Sequence, residues 1–157
     1  NDMSAFSSYA FNKSHAAAYA VVAYRTAYLK AHYPAEYFAA LMTSMMDNSS
    51  KISLYTAECK RMGIKVLPPS VNESLGGFTP KGKEIRFGLM AIKNLGLGLI
   101  ERLIREREEN GSYVSMYDFC LRNYSREFNR KALEGLIKSG ALDGLAETNQ
   151  ISMLDFF

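Results

Sequence analysis

The first third of the chain carries apolar residues at helical spacing, interrupted by polar and Pro-containing breaks. Residues 14–33 are rich in Ala and contain neither Gly nor Pro, which predicts one long helix. Ser14 is a candidate N-cap, and Pro34 ends this helix and suits the first turn of the next one. Two further amphipathic stretches predict helices over about 35–46 and 51–62.

The pattern changes at residue 64. Residues 64–67 have extended character, and Pro68-Pro69 excludes a helix directly after them. Short β-favouring runs at 78–79 and 85–87 flank a Lys-Gly-Lys turn, which predicts a small β-hairpin. We interpret residues 64–80 as the hinge between two units.

The remainder of the chain again shows helical periodicity, broken at glycines. The predicted helices cover residues 89–95, 98–109, 113–121 and 129–138. The predicted fold is therefore mostly α. A helical unit over 1–75 is followed by a helix-hairpin-helix unit over 76–145, with the small β-hairpin between them and a tail over 146–157.

Composition excludes several protein classes. Hydrophobic residues make up 48% and charged residues 22%, which supports a packed core. No apolar run reaches the roughly 20 residues that cross a bilayer, and no signal peptide is visible, so we expect a cytoplasmic protein without membrane contact. The chain does not begin with Met, from which we expect a piece of a longer protein. Cys59 and Cys120 lack metal-ligand spacing, so we expect two reduced, mostly buried thiols and no metal site.

The sharpest functional signal is the turn Gly96-Leu97-Gly98 between two predicted helices. Its glycines permit a tight turn, and the first amides of the following helix would bind one DNA phosphate without reading sequence. We expect Leu97 to insert into the core, and Lys93 and Arg102 to add phosphate contacts. An ordinary helical hairpin with a glycine-rich turn is the alternative. The candidate DNA-binding residues are Lys93, Asn94, Gly96, Leu97, Gly98 and Arg102.

Two weaker patterns stay open. Ser139-Gly140-Ala141 follows a second apolar helix and suggests a degenerate copy of the same motif. The basic residues before it, Arg126, Arg130 and Lys131, fit that copy or a solvated face equally well. The aromatic residues within 9–38 fit core packing better than base stacking, although both remain open.

A polar cluster stands at the start of the first predicted helix: Asn12, Lys13, Ser14 and His15. Unpaired amides and the helix dipole favour an anion there, and Lys13 adds a positive charge. An ordinary capped helix is the alternative. The sequence shows neither paired carboxylates for two magnesium ions nor a nucleophile elbow or P-loop, so it predicts no catalytic site in this chain.

Several segments together resemble one family. They are FNKSHAAAYA (11–20), YLKAHYPAE (28–36), ECKRMGI (58–64), LPP (67–69), AIKNLG (91–96) and LIKSGALD (136–143). In this order they resemble the bacterial replicative DNA polymerase III alpha subunits, which are C-family DNA polymerases. The resemblance covers nearly the whole chain.

The resemblance implies a division of labour. Residues 1–75 would be the later part of the fingers, where Asn12, Lys13, Ser14 and His15 contact the incoming deoxynucleoside triphosphate. Residues 76–145 would be the tandem helix-hairpin-helix domain, which holds duplex primer-template DNA. The catalytic carboxylates and their Mg²⁺ would lie in the palm, outside this chain, so the chain needs no cofactor of its own and we expect it to be inactive alone.

The C-terminus resembles the family's short sliding-clamp-binding peptide. Gln150, Met153 and Leu154 stand at the anchor positions, although Phe is commoner where Leu154 stands. Only Gly144 to Asn149 separate this peptide from the hairpin region, whereas the family usually has a longer helical stretch. A terminal apolar segment that packs on the domain is the alternative. A module that docks to the clamp or to another replisome subunit is therefore the second functional hypothesis.

Overall fold

The structure, a computed structural model, describes residues 13–125 and 127–145. Six α-helices and three strands occur in these ranges. The helices are α1 (Lys13–His32), α2 (Pro34–Ser44), α3 (Ser49–Arg61), α4 (Leu97–Asn110), α5 (Met116–Asn123) and α6 (Arg130–Lys138). The strands are β1 (Lys65–Leu67), β2 (Thr79–Lys81) and β3 (Glu84–Arg86), and one 3-10 turn covers Leu89–Ala91. The predicted fold, mostly α with a small β element, is confirmed.

Local signals fix the ends of the first helices. Pro34 occupies the first turn of α2, immediately after α1 ends at His32. The side chain of Asn48 caps α3 by accepting a hydrogen bond of 3.0 Å from the Lys51 amide. Gly63 follows α3 with a positive φ of 75°, which is the left-handed conformation expected after a helix end. The three helices predicted from the sequence are confirmed within one or two residues at each end.

The three strands form one sheet in the order β1-β3-β2. β2 and β3 make the predicted antiparallel hairpin, in which Thr79 lies opposite Arg86. β1 pairs in parallel with β3, and Val66 lies opposite Ile85. Part of the segment interpreted as a hinge is therefore a strand of this sheet.

The buried apolar residues form two clusters. The first joins α2, α3 and the sheet around Phe38, Met42 and Ile85. The second joins the last three helices and the 3-10 turn. Its members with at most 1% exposed surface are Val71, Leu89, Ile100, Leu103, Phe119, Ala132 and Leu136. Because Val71 belongs to the second cluster and Phe78 to the first, the chain passes between the clusters more than once. The domain boundary at 75/76 stays a prediction.

The predicted helix over 89–95 is wrong. Only Leu89–Ala91 form one 3-10 turn, and Ile92 is extended with φ −82° and ψ 127°. The amides of Leu89 and Met90 donate to the carbonyls of Leu75 and Gly76, each at 2.9 Å. These distant partners hold the segment against the preceding loop.

The long helix α1 stands apart from both clusters. None of its 20 residues is buried. Tyr19, Tyr24 and Tyr28 are 64%, 70% and 46% exposed, so within the described chain the expected core packing of these rings is not formed. No described helix has both the length and the apolar character required to span a membrane.

Candidate nucleic-acid interface

The segment that leads into α4 forms an exposed turn on a buried base. Lys93, Asn94 and Gly96 are exposed, whereas Ile92 is buried and Leu95 packs against the second cluster. Asn94 takes a left-handed φ of 67°, which turns the chain sharply before Gly96. Gly96 is the N-cap of α4 in extended conformation, with φ −76° and ψ 151°. We call residues 93–98 the hairpin turn.

The hairpin turn presents free backbone donors. The amides of Leu97, Gly98 and Leu99 lie in the first turn of α4, where a helix has no carbonyl of its own to accept them. No side chain caps this helix start, and no acceptor for these amides occurs within residues 13–125 and 127–145. The helix dipole adds a partial positive charge at the same end. The arrangement suits an anion such as a phosphate.

The prediction that Leu97 inserts into the core is wrong. Leu97 is 54% exposed, and Leu99, Ile100 and Leu103 fill the core instead. The helix begins at Leu97 rather than at Gly98. Because helical side chains lean towards the N-terminus, the side chain at the first position projects past the end of the helix.

The charges around the hairpin turn are mixed. Lys93 is exposed, and the guanidinium of half-buried Arg102 donates to the Tyr124 carbonyl at 3.4 Å. A Cβ placed on Gly98 would stand 3.6 Å from a carboxylate oxygen of Glu127. The region around the free amides therefore contains two cations, and one carboxylate lies close to the helix start.

The proposed second copy of the turn offers no such donors. Gly140 has a φ of 75°, its amide donates to Ile137 at 3.0 Å, and the Ala141 amide donates to Leu136 at 3.0 Å. These are the two hydrogen bonds of a Schellman cap, which closes α6. A carboxylate oxygen of Asp143 would lie 2.9 Å from a Cβ on Gly140. This turn therefore ends a helix and leaves no amide for a phosphate.

A comparison of the sequence with known protein families shows which family this chain belongs to. The helix-hairpin-helix motif family matches residues 63–151, which is more than half of the chain. The chain belongs to the helix-hairpin-helix family. The predicted helix-hairpin-helix architecture is thereby confirmed, although the first helix of the hairpin is reduced to a single 3-10 turn.

Relatives of this helix-hairpin-helix chain are DNA polymerase III alpha subunits. The chain is 54% identical over 143 residues to the alpha subunit of Saccharopolyspora erythraea, and the match covers 91% of this chain and 12% of that protein. It is 48% identical over 149 residues to that of Deinococcus radiodurans, covering 95% of this chain and 11% of that protein. It is 49% identical over 141 residues to the alpha subunit of Escherichia coli strain K12, and the match covers 89% of this chain and 12% of that protein. The resemblance seen in the motifs is confirmed, and the chain spans only about an eighth of the length of these relatives.

The polar cluster before the helix-hairpin-helix region is only partly described. Lys13, Ser14 and His15 are exposed in the first turn of α1, and the His15 ring lies 4.3 Å from the Tyr19 ring. The predicted N-cap Ser14 lies inside the helix rather than before it. Asn12 lies outside the described residues, as do Gln150, Met153 and Leu154 of the clamp-like peptide. Their predicted roles stay predictions.

The described residues include two cysteines and other potential metal ligands. No group of three or more His, Cys, Asp or Glu side chains able to hold a metal occurs among the described residues. Cys59 and Cys120 are free and buried, as predicted, and burial raises the pKa of each thiol to about 11. A thiol of such high pKa stays protonated near neutral pH and is a poor nucleophile.

Sequence reasoning missed two residues beside the helix-hairpin-helix turn. Glu127 approaches Gly98, and Gly135 of α6 lies against the Lys93 carbonyl. Each contact joins positions about 30 to 40 residues apart, so no local pattern could indicate it. The one available signal was a Gly inside a predicted helix, which often marks a close approach of another segment.

Proposed function

We propose that this chain is the part of a bacterial replicative DNA polymerase that holds the DNA backbone, using the hairpin turn as a phosphate site. The similarity to DNA polymerase III alpha subunits supports a place in DNA replication. The observation that carries the proposal is the exposed start of α4, where three amides lack acceptors in the described chain. The bound group is a phosphate of duplex primer-template DNA.

The chemistry predicts binding that does not depend on base sequence. Backbone amides and the helix dipole contact a phosphate oxygen, and these groups are the same in every nucleotide. Lys93 in the hairpin turn and Arg102 in α4 add positive charge to this region. Each phosphate that such a cation neutralises steepens the fall of affinity with salt, with a slope of about 0.9 per contact for duplex DNA.

A titration of duplex binding tests the hairpin turn. Gly96 suits the test because a Cβ there meets nothing within 4 Å and its φ is negative, so Gly96→Leu leaves the fold intact. Gly144→Leu is the matched control, since that glycine also has open space around it. We expect Gly96→Leu, alone or with Gly98→Leu, to weaken binding to duplexes of different sequence equally. An unchanged affinity, a loss equal to that of the control, or a loss confined to one sequence would contradict the proposal.

The first turn of α1 is proposed to contact the incoming nucleotide. Lys13, Ser14 and His15 are exposed there, and the resemblance of this segment to the polymerase fingers supports a contact of these residues and Asn12 with the triphosphate. Mg²⁺ and the catalytic carboxylates are proposed to lie elsewhere in the polymerase, so this chain alone should transfer no nucleotide. In the complete polymerase, Lys13→Ala should raise the nucleotide KM or lower kcat. Unchanged steady-state kinetics would show that Lys13 does not contact the nucleotide.

The second candidate function is docking to the sliding clamp or another replisome subunit. The motif at Gln150, Met153 and Leu154 favours it: a glutamine, a spacer and apolar anchors that suit a hydrophobic pocket. Deleting residues 150–157 should then abolish clamp binding and leave duplex binding unchanged. Clamp binding that survives the deletion would exclude the peptide. Either function places the protein in the cytoplasm with the chromosome.

A further inference from the structure

A second surface beside the hairpin turn has the form of a groove. It runs between α3 and the segment 87–93, and its volume is about 770 Å³. One wall is a polar face of α3 that includes Ser53, Thr56 and Lys60. The other wall is mainly apolar, with Phe87 and Met90, and ends at Lys93.

The groove carries two cations without partners in the described chain. Lys60 and Lys93 are both exposed, and neither forms an ion pair or side-chain hydrogen bond with any described residue. The neighbouring Arg61 differs, because it is paired with Glu58 at 2.8 Å. Asp47 is the acidic residue among those lining the groove. The groove thus combines free positive charge with an apolar wall.

Lys93 belongs to both the groove and the hairpin turn. Lys93 therefore connects the two surfaces, so that a strand with a phosphate at the turn can continue along the protein into the groove. Duplex DNA turns its charged backbone outwards and hides the faces of its bases. A single strand can place phosphates on lysines and hydroxyls while its bases contact apolar side chains. The contacts of a single strand match the two walls of the groove, which are polar on one side and apolar on the other.

We propose that this groove binds the single-stranded segment of DNA that continues beyond the duplex held at the hairpin turn. Between Ser49 and Lys60 the α3 face is about 16 Å long, at about 1.5 Å per residue. A single strand that keeps its bases stacked rises about 3.4 Å per nucleotide, as in a duplex, so this length accommodates at most about four or five nucleotides. The proposal rests on the proposed DNA-binding function for its anchor at Lys93, and it is tested separately from it.

The test compares a blunt duplex with the same duplex carrying a five-nucleotide thymidine overhang, in each polarity, at one salt concentration. We expect the overhang of one polarity to tighten binding to the 157-residue chain about fivefold or more. Lys60→Glu and Ala57→Glu should remove this gain and leave the dissociation constant of the blunt duplex unchanged. Lys51→Glu is the matched control, because Lys51 is an exposed lysine of the same helix that does not line the groove.

Each outcome decides the proposal. No gain from either overhang, or an equal loss in the Lys51→Glu control, would overturn it. Displacement of the overhang by a polyglutamate peptide of equal charge would show a surface that recognises charge alone, and would also overturn it. Weak binding of the blunt duplex, together with an overhang-dependent gain in affinity that requires Lys60, would refute the function of the hairpin turn. It would still support single-strand binding in the groove.

Discussion

Gly135 of α6 lies directly against the main-chain carbonyl of Lys93. A Cβ placed on Gly135 would stand 2.6 Å from that oxygen and 3.2 Å from a methyl carbon of Leu95. The hairpin turn therefore rests on the backbone of α6, with no space for even a methyl group between them. The last helix of the described chain fixes the position of the amides that face solvent.

Gly135→Ala should destabilise the protein, although the same change within a helix normally stabilises it. Alanine is favoured over glycine inside a helix by roughly 0.5–1 kcal/mol. Here the new methyl group meets backbone that cannot rotate away, so we expect a net loss of about 1–3 kcal/mol in the free energy of unfolding. Urea unfolding measures this loss, and duplex binding should weaken because the turn shifts.

Gly98→Ala is the control for stability, because Gly98 also lies in a helix. Its nearest neighbour is a carboxylate oxygen of Glu127 at 3.6 Å from the added Cβ, which is an ordinary contact. A Gly135→Ala protein at least as stable as the wild type would show that α6 does not hold the turn in this way.

Glu127→Gln should strengthen duplex binding. The Glu127 carboxylate lies near Gly98, at the positive end of α4, where it repels a phosphate and competes for the same dipole. Removing the charge should tighten binding about twofold to fivefold at about 0.1 M salt, and the gain should fade as salt rises further.

Glu109→Gln is the control for this charge change. Glu109 is exposed near the opposite end of α4, about 17 Å from Gly98 along the helix at about 1.5 Å per residue. That separation exceeds the screening length of about 10 Å at 0.1 M salt. Equal gains from the two variants would mean that net charge alone, and not the position of Glu127, controls binding.

Elements with a local cause were predicted well from the sequence. Ser115 caps α5 by accepting from the Asp118 amide at 3.1 Å, a contact between residues only three positions apart. Pro34 and Gly63 mark helix ends for reasons contained in their own backbones. The β2–β3 hairpin follows from its turn residues in the same way.

Elements with a distant cause were not predicted. The apolar residues from Leu89 to Leu95 suggest a helix, but only one 3-10 turn forms there, and its first amides donate to the distant carbonyls of Leu75 and Gly76. The partner of β1 is also distant, since Val66 meets Ile85 across the sheet. At the candidate site, the sequence indicated the exposed amides of the turn but neither the support from Gly135 nor the carboxylate of Glu127.

Tyr113→Phe should lower stability by removing one buried hydroxyl. The Tyr113 hydroxyl donates to the Leu103 carbonyl at 2.9 Å and lies 3.3 Å from the side-chain oxygen of Asn123. Asn123 is fully buried and donates to Phe119 at 2.8 Å. Loss of the hydroxyl leaves a buried acceptor without its partner, so we expect a loss of about 1–2 kcal/mol in unfolding free energy by urea titration.

The control for this hydroxyl is Tyr124→Phe, because the Tyr124 side chain is 66% exposed and water replaces any bond it makes. Its stability should equal that of the wild type within about 0.5 kcal/mol. Equal losses at the two positions would argue against the buried network as the cause.

Glu58 gives the region around α1 and α3 a stability that depends on pH. Hydrogen bonds from the Arg61 guanidinium and the Lys30 ammonium hold the pKa of this carboxyl at about 2, below its ordinary value of 4.5. The Lys30 contact, at 3.0 Å, also joins α1 to α3. A carboxyl whose pKa is lower in the folded state adds stability that is complete above the unfolded value and disappears as pH falls to the folded one.

Glu58→Gln should therefore lower the Tm at pH 7, and the difference from the wild type should shrink between about pH 4.5 and pH 2. Thermal unfolding followed by circular dichroism over this range measures the difference. Glu101→Gln, an exposed position on α4, is the control and should show no such convergence. A Tm difference that stays constant down to pH 2 would mean that the glutamine changes packing, and that the pairs with Arg61 and Lys30 do not supply the effect.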